Sequence, residues 1–113
     1  MKSIFYLLDV APYGSEKAFG LLNAAIVSIK MGVTVGLYAD GVYLALAGQN
    51  SKALGVPNLS ELIYTYPEIA VVAHEPSLVE RNLMNERLIE LVELSDELPF
   101  LERIRRADCT IIL

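Results

Sequence analysis

The chain is poor in the residues that usually carry chemistry. Its 113 residues include one cysteine, Cys109, and one histidine, His74. A single thiol excludes an internal disulfide and a cysteine-rich metal site, and it suits a reducing compartment. Basic residues are also scarce. Nine Lys and Arg stand against fourteen Asp and Glu, for a net charge of −5. Phosphate backbones are bound by clustered Lys and Arg, so no direct contact with nucleic acid is expected. The one basic cluster, Arg103, Arg105 and Arg106, falls near the end of an expected helix, where cations complement the helix dipole. Long apolar runs are missing too. No stretch reaches the ~20 residues that a membrane span needs. Met1-Lys2-Ser3 and the five apolar residues after it make too short a core for a signal peptide, and Asp9 interrupts it. These absences lead us to expect a cytoplasmic protein without membrane contact.

What the chain does have is grease. Apolar residues make up 54% of it and its mean hydropathy is +0.44. At this length one domain, 1–113, is expected. Part of the apolar excess is expected on the outside, under a partner subunit. Three short apolar runs stop on polar residues: Ile4 to Leu8 on Asp9, Val33 to Ala39 on Asp40-Gly41, and Ile69 to Ala73 on His74-Glu75-Pro76. Runs apolar on both faces suit strands of a covered parallel sheet, and ligands gather at the carboxyl ends of such strands.

Strands are expected at 3–8, 33–39, 69–73, 88–92 and 110–113, with 88–92 alternatively an extension of the helix before it. A long helix is expected from Ser15 to Met31, ended by Gly32. Its apolar residues run nearly all the way round, which predicts burial on most faces. A short helix is expected at Val42–Ala47. Asn58 with Glu61, and Ser77 with Glu80, form two capping boxes. They open expected helices over 59–66 and 78–86. A last helix runs from Pro99 to Ala107, with Phe100, Leu101 and Ile104 on its inner face. Strands alternating with helices define a three-layer α/β/α fold around a five-stranded parallel sheet.

The strand-end rim offers Asp9, Asp40, His74 and Glu75. If they converge on a pocket, the protein is a small-molecule binder or an enzyme. No Ser, Cys or metal constellation surrounds His74, so no reaction can be assigned to it. One histidine and scattered carboxylates do not make a metal site. The loop from Asp9 to Ser15 is neither G-x-G-x-x-G nor a phosphate loop. No cofactor is expected. Cys109 opens the last strand, at the sheet edge opposite the rim, inside a run that reads as buried; a buried thiol is usually inert, and the alternative is a reactive thiol that transfers sulfur, which needs exposure and a lowered pKa. Tyr13, Tyr38 and Tyr43, near the rim loops, suit an interface that is apolar with a polar tip. Phe19, on the first helix, is a further interface candidate.

Four segments carry a family resemblance. They are Ala11-Pro12-Tyr13-Gly14 before an Ala/Leu-rich helix, Leu37-Tyr38-Ala39-Asp40-Gly41-Val42-Tyr43 with Leu46-Ala47-Gly48-Gln49, Ser77 to Leu83, and Leu101-Glu102-Arg103-Ile104 through Ala107-Asp108. In order and spacing the chain resembles the DsrE/DsrF-like sulfur-relay proteins, particularly the DsrF/TusC branch. The resemblance implies the α/β/α fold, and assembly into trimers or hexamers, homomeric or with DsrE-like sister subunits. It implies a part in cytoplasmic sulfur transfer, for tRNA thiolation or sulfur oxidation. In the cysteine-bearing branch a thiol just beyond the third strand holds the persulfide, and here that place holds His74. Imidazole cannot carry a persulfide. The expectation is therefore an accessory subunit that is not an enzyme on its own.

Overall fold

The computed structural model describes residues 3–10, 17–46 and 63–112. The elements are β1 (Ser3–Leu8), α1 (Lys17–Val27), β2 (Gly32–Leu37), a 3₁₀ turn (Ala39–Ala45), β3 (Ala70–His74), α2 (Glu75–Glu80), β4 (Glu93–Ser95), α3 (Glu97–Arg106) and β5 (Cys109–Ile112). All five strands are parallel, in the order β4-β3-β2-β1-β5. This is the α/β/α fold expected from the sequence.

The order fixes the layers. The crossovers from β1 to β4 step in one direction, and right-handed crossovers then share one face of the sheet. The return from β4 to β5, beside β1, puts α3 on the other face. Side chains alternate accordingly. Tyr6, Leu8, Val33, Val35, Leu37, Val71 and Ala73 point into the larger core, against Ala18, Leu21, Leu22 and Ala25 of α1 and Leu78 of α2. Phe5 and Val72 point the other way and meet Phe100 of α3, with Leu7, Ile104 and Ala107 at the margin. Phe5 and Phe100 pack edge to face, ring centres 5.8 Å apart. Gly36 leaves the space that both rings use, since a Cβ there would reach Phe100 Cζ at 3.0 Å and Phe5 closer still.

Several expected boundaries move. The fourth strand is Glu93–Ser95, not 88–92. Leu88 forms an isolated bridge with Leu46, and the Ile89 N–H donates to Ala45 O at 2.7 Å. The apolar run at 88–92 thus packs the 3₁₀ turn instead of joining the sheet. The described part of the first helix stops at Val27, four residues before Met31. Its outer face is open, with Val27 85% exposed. α2 begins at Glu75, with Pro76 in its first turn, so Ser77 lies inside the helix and is not its cap. Leu101 faces outward, because the inner stripe of α3 is Phe100, Ile104 and Ala107 at i, i+4 and i+7. The expected cap at Ser15 and the start of the 59–66 helix lie outside the described residues; Ile63 to Thr65 is helical.

Candidate functional site

The carboxyl ends of β2 and β3 form a rim built around His74. This residue ends β3 and caps α2, and it is 3% exposed. Its Nδ1 lies 2.7 Å from Ser77 Oγ. Ser77 Oγ also accepts the Ala39 N–H at 3.0 Å. The hydroxyl keeps a second lone pair and its own proton, so it can either donate to Nδ1 or accept from it. Nε2 sits 3.3 Å from Glu97 Oε2 without a properly aligned hydrogen bond. Tyr38 lies over the ring at 4.7 Å and Phe100 at 5.1 Å.

Ser77, His74 and Glu97 stand in the order of a nucleophile, a base and a carboxylate. They do not work as one. Ser77 is 4% exposed, its Oγ is held between His74 Nδ1 and the Ala39 N–H, and the imidazole, 3% exposed, packs against the Tyr38 and Phe100 rings. The group is a brace that ties the ends of β2, β3, α2 and α3 together. Ala39, at φ 50, occupies the left-handed region, which costs a non-glycine residue about 1–2 kcal/mol. Its bond to Ser77 helps hold it there. A second tie runs alongside. Arg81 Nε donates to Asp40 Oδ1 at 3.0 Å, and its Nη1 donates to the Ser77 carbonyl at 3.1 Å.

The four rim candidates therefore have different fates. His74 is buried, Asp40 is paired with Arg81, Glu75 is half-buried in the first turn of α2, and Asp9 is exposed after β1. Among the described residues no hydrogen bond or ion pair joins any two of them. Neither described cavity has them in its walls. One, of about 10 Å³, lies between α1 and β3. The other, of about 190 Å³, lies at the amino end of the sheet beneath Arg103 and Arg106. Among the described residues no three His, Cys, Asp or Glu side chains are placed to hold a metal ion. Of the interface candidates, Phe19 and Tyr38 are about 40% exposed, Tyr43 is half-buried, and Tyr13 lies outside the described residues.

Cys109 corrects an expectation. It is exposed, on a strand that, among the described residues, pairs with β1 at the edge of the sheet. It stands at the amino end of the sheet, far from the His74 rim in the fold, and it does not line the cavity there. The basic cluster is a paired helix end. Arg103 bonds Glu93 at 2.6 Å and Arg105 bonds Glu102 at 2.9 Å. Glu97 and Arg81 are the site residues that sequence reasoning missed. Neither sits at a spacing that connects it to His74 or Asp40; only the sheet order brings them together.

Fold and site together define a parallel α/β/α protein whose strand-end rim is braced shut around an imidazole. The chain belongs to the DsrE/DsrF-like family, whose family model matches residues 2–111. An uncharacterized protein of Methanopyrus kandleri is 34% identical over 109 residues, covering 93% of this chain and 88% of that protein. A second uncharacterized protein, from Methanocaldococcus jannaschii, is 30% identical over 106 residues, covering 90% and 91%. The intracellular sulfur oxidation protein DsrF of Allochromatium vinosum is 30% identical over 96 residues, covering 80% of this chain and 71% of DsrF. Among solved structures, the YchN protein of E. coli superposes with a TM-score of 0.89 over the full length of both chains, at 24% identity. That likeness is one of fold.

Proposed function

We propose that this chain is an accessory subunit of a cytoplasmic sulfur relay, acting by docking to cysteine-bearing sister subunits and not by carrying sulfur itself. The observation that carries this reading is the residue at the end of β3. The family resemblance puts the sulfur-carrying thiol of active members at this place, and this chain puts there a buried histidine bonded to Ser77. The one cysteine opens β5, at the opposite end of the sheet. The DsrF relative favours sulfur oxidation over tRNA thiolation as the pathway. Among the described residues no helix is long and apolar enough to cross a membrane, which is compatible with a cytoplasmic site of action. The alternative, a small-molecule site on the rim, has less support, since its histidine is sealed and its Asp40 is paired.

The test is sulfur transfer from a persulfide-loaded, cysteine-bearing sister subunit to its acceptor, with wild-type chain or Cys109→Ser added. Both versions are expected to raise the transfer rate equally. A rate increase that vanishes with Cys109→Ser would make the chain a carrier and overturn the accessory role.

A further inference from the structure

The neutral imidazole of His74 leaves one hydrogen-bonding position unfilled. A neutral ring carries one N–H and one bare nitrogen. If Ser77 Oγ donates to Nδ1, the ring hydrogen is on Nε2, which is buried and has no hydrogen-bond partner. If Ser77 Oγ accepts from Nδ1, Nε2 is a bare lone pair with Glu97 Oε2 only 3.3 Å away, and two acceptors face each other. One more proton removes the fault. The charged ring donates from both nitrogens, to Ser77 Oγ on one side and, after a small turn of the carboxylate, to Glu97 on the other.

The surroundings suit that charge. Glu97 opens α3, where the helix dipole favours its ionised form. Its side chain is 54% exposed, so it is free to turn and it links the ring to solvent. The Tyr38 and Phe100 rings, centred 4.7 and 5.1 Å away, attract a cation. Burial of the ring opposes the charge. Of the other charged groups on the elements around the ring, Arg81 of α2 is paired with Asp40 of the 3₁₀ turn, and Glu93 of β4 is paired with Arg103. Glu75 follows His74 in the chain, and Asp96 precedes Glu97. We propose that His74 and Glu97 form a proton-operated latch, in which a proton taken up by the ring ties the carboxyl end of β3 to the first turn of α3. The latch is independent of where sulfur rests.

The experiment compares urea unfolding of wild type and Glu97→Gln at about pH 8 and about pH 5, a window in which imidazole changes charge and most carboxylates stay ionised. The two unfolded chains take up the proton alike. The folded variant, without its counter-ion, takes it up less readily than folded wild type, so linkage makes the stability gap widen as pH falls. The unfolding constant of Glu97→Gln relative to wild type is expected to rise about tenfold between the two conditions. Asp96→Asn removes a charge from the same turn without touching the ring, and its effect is expected to be equal at both. In a His74→Gln background the pH dependence of Glu97→Gln is expected to vanish. Nitrogen NMR supplies a second readout on folded protein: an Nε2–H signal expected at the lower pH in wild type and lost in Glu97→Gln. A gap of one size at both pH values, an equal widening with Asp96→Asn, a pH dependence that survives His74→Gln, or an Nε2–H signal indifferent to Glu97 would overturn the latch.

Discussion

Gly41→Ala is expected to destabilise the protein by about 3 kcal/mol or more, near the upper end of overpacking costs. A Cβ at Gly41 would lie 2.8 Å from the Leu8 carbonyl carbon and closer still to its oxygen. That carbonyl cannot retreat, because it accepts the Tyr38 N–H at 3.0 Å and so joins the end of β1 to the end of β2. The Gly41 N–H in turn donates to the Tyr38 carbonyl at 2.9 Å. A side chain here must break the turn that sets Ala39 against Ser77. The check is a urea midpoint, with Gly20→Ala as control. Gly20 sits in α1, and among the described residues a Cβ there would meet nothing within 4 Å, so the same change there is expected to stabilise by about 0.5–1 kcal/mol. Opposite signs for the two substitutions are the expected result; a loss of similar size at both positions would mean that backbone crowding at the rim is not the cause.

Phe100→Ala is expected to cost about 3–5 kcal/mol, the usual range for a buried phenylalanine. The second core is small: Phe5, Val72 and Phe100 are its buried members, and Phe100 is the buried residue of α3. Its loss removes the edge-to-face contact with Phe5 and leaves a cavity beside Gly36. It also removes one of the two rings that enclose His74. Leu101→Ala, one residue along and 44% exposed, is expected to change the stability of the monomer by less than about 1 kcal/mol. Urea unfolding of both variants checks this, and equal losses would contradict the inward placement of Phe100 over Leu101.

Those two residues show how far sequence alone reaches. The strands at 3–8, in the thirties and near 70 were legible because each is a short apolar run closed by a polar stop, and the structure places them within a residue or two. β4 was not legible. Glu93-Leu94-Ser95 has little strand character of its own, and it pairs because the chain leaving Val92 is already beside β3. The greasier run before it is spent on the 3₁₀ turn. Strand order was equally out of reach, and with it went the exposure of Cys109. A run such as Cys-Thr-Ile-Ile reads as buried until the fold makes it an edge. At the site, His74 and Ser77 are three residues apart, and their pairing could have been suspected from the start of a helix at Glu75. Glu97 lies on another helix, and its approach follows only from the crossing of α3 under β3. Asp40 looked like a rim acid because Arg81 is remote in the chain. The ion pair joins the 3₁₀ turn to the end of α2, which no local pattern connects.

An accessory role requires that sulfur pass between sister subunits without resting on this chain. The direct measurement is the intact mass of the purified protein after incubation with a cysteine desulfurase and cysteine, read without reductant. The mass is expected to stay unchanged while a cysteine-bearing sister in the same tube gains sulfur. A gain of one sulfur atom on this chain that disappears in Cys109→Ser would contradict the account.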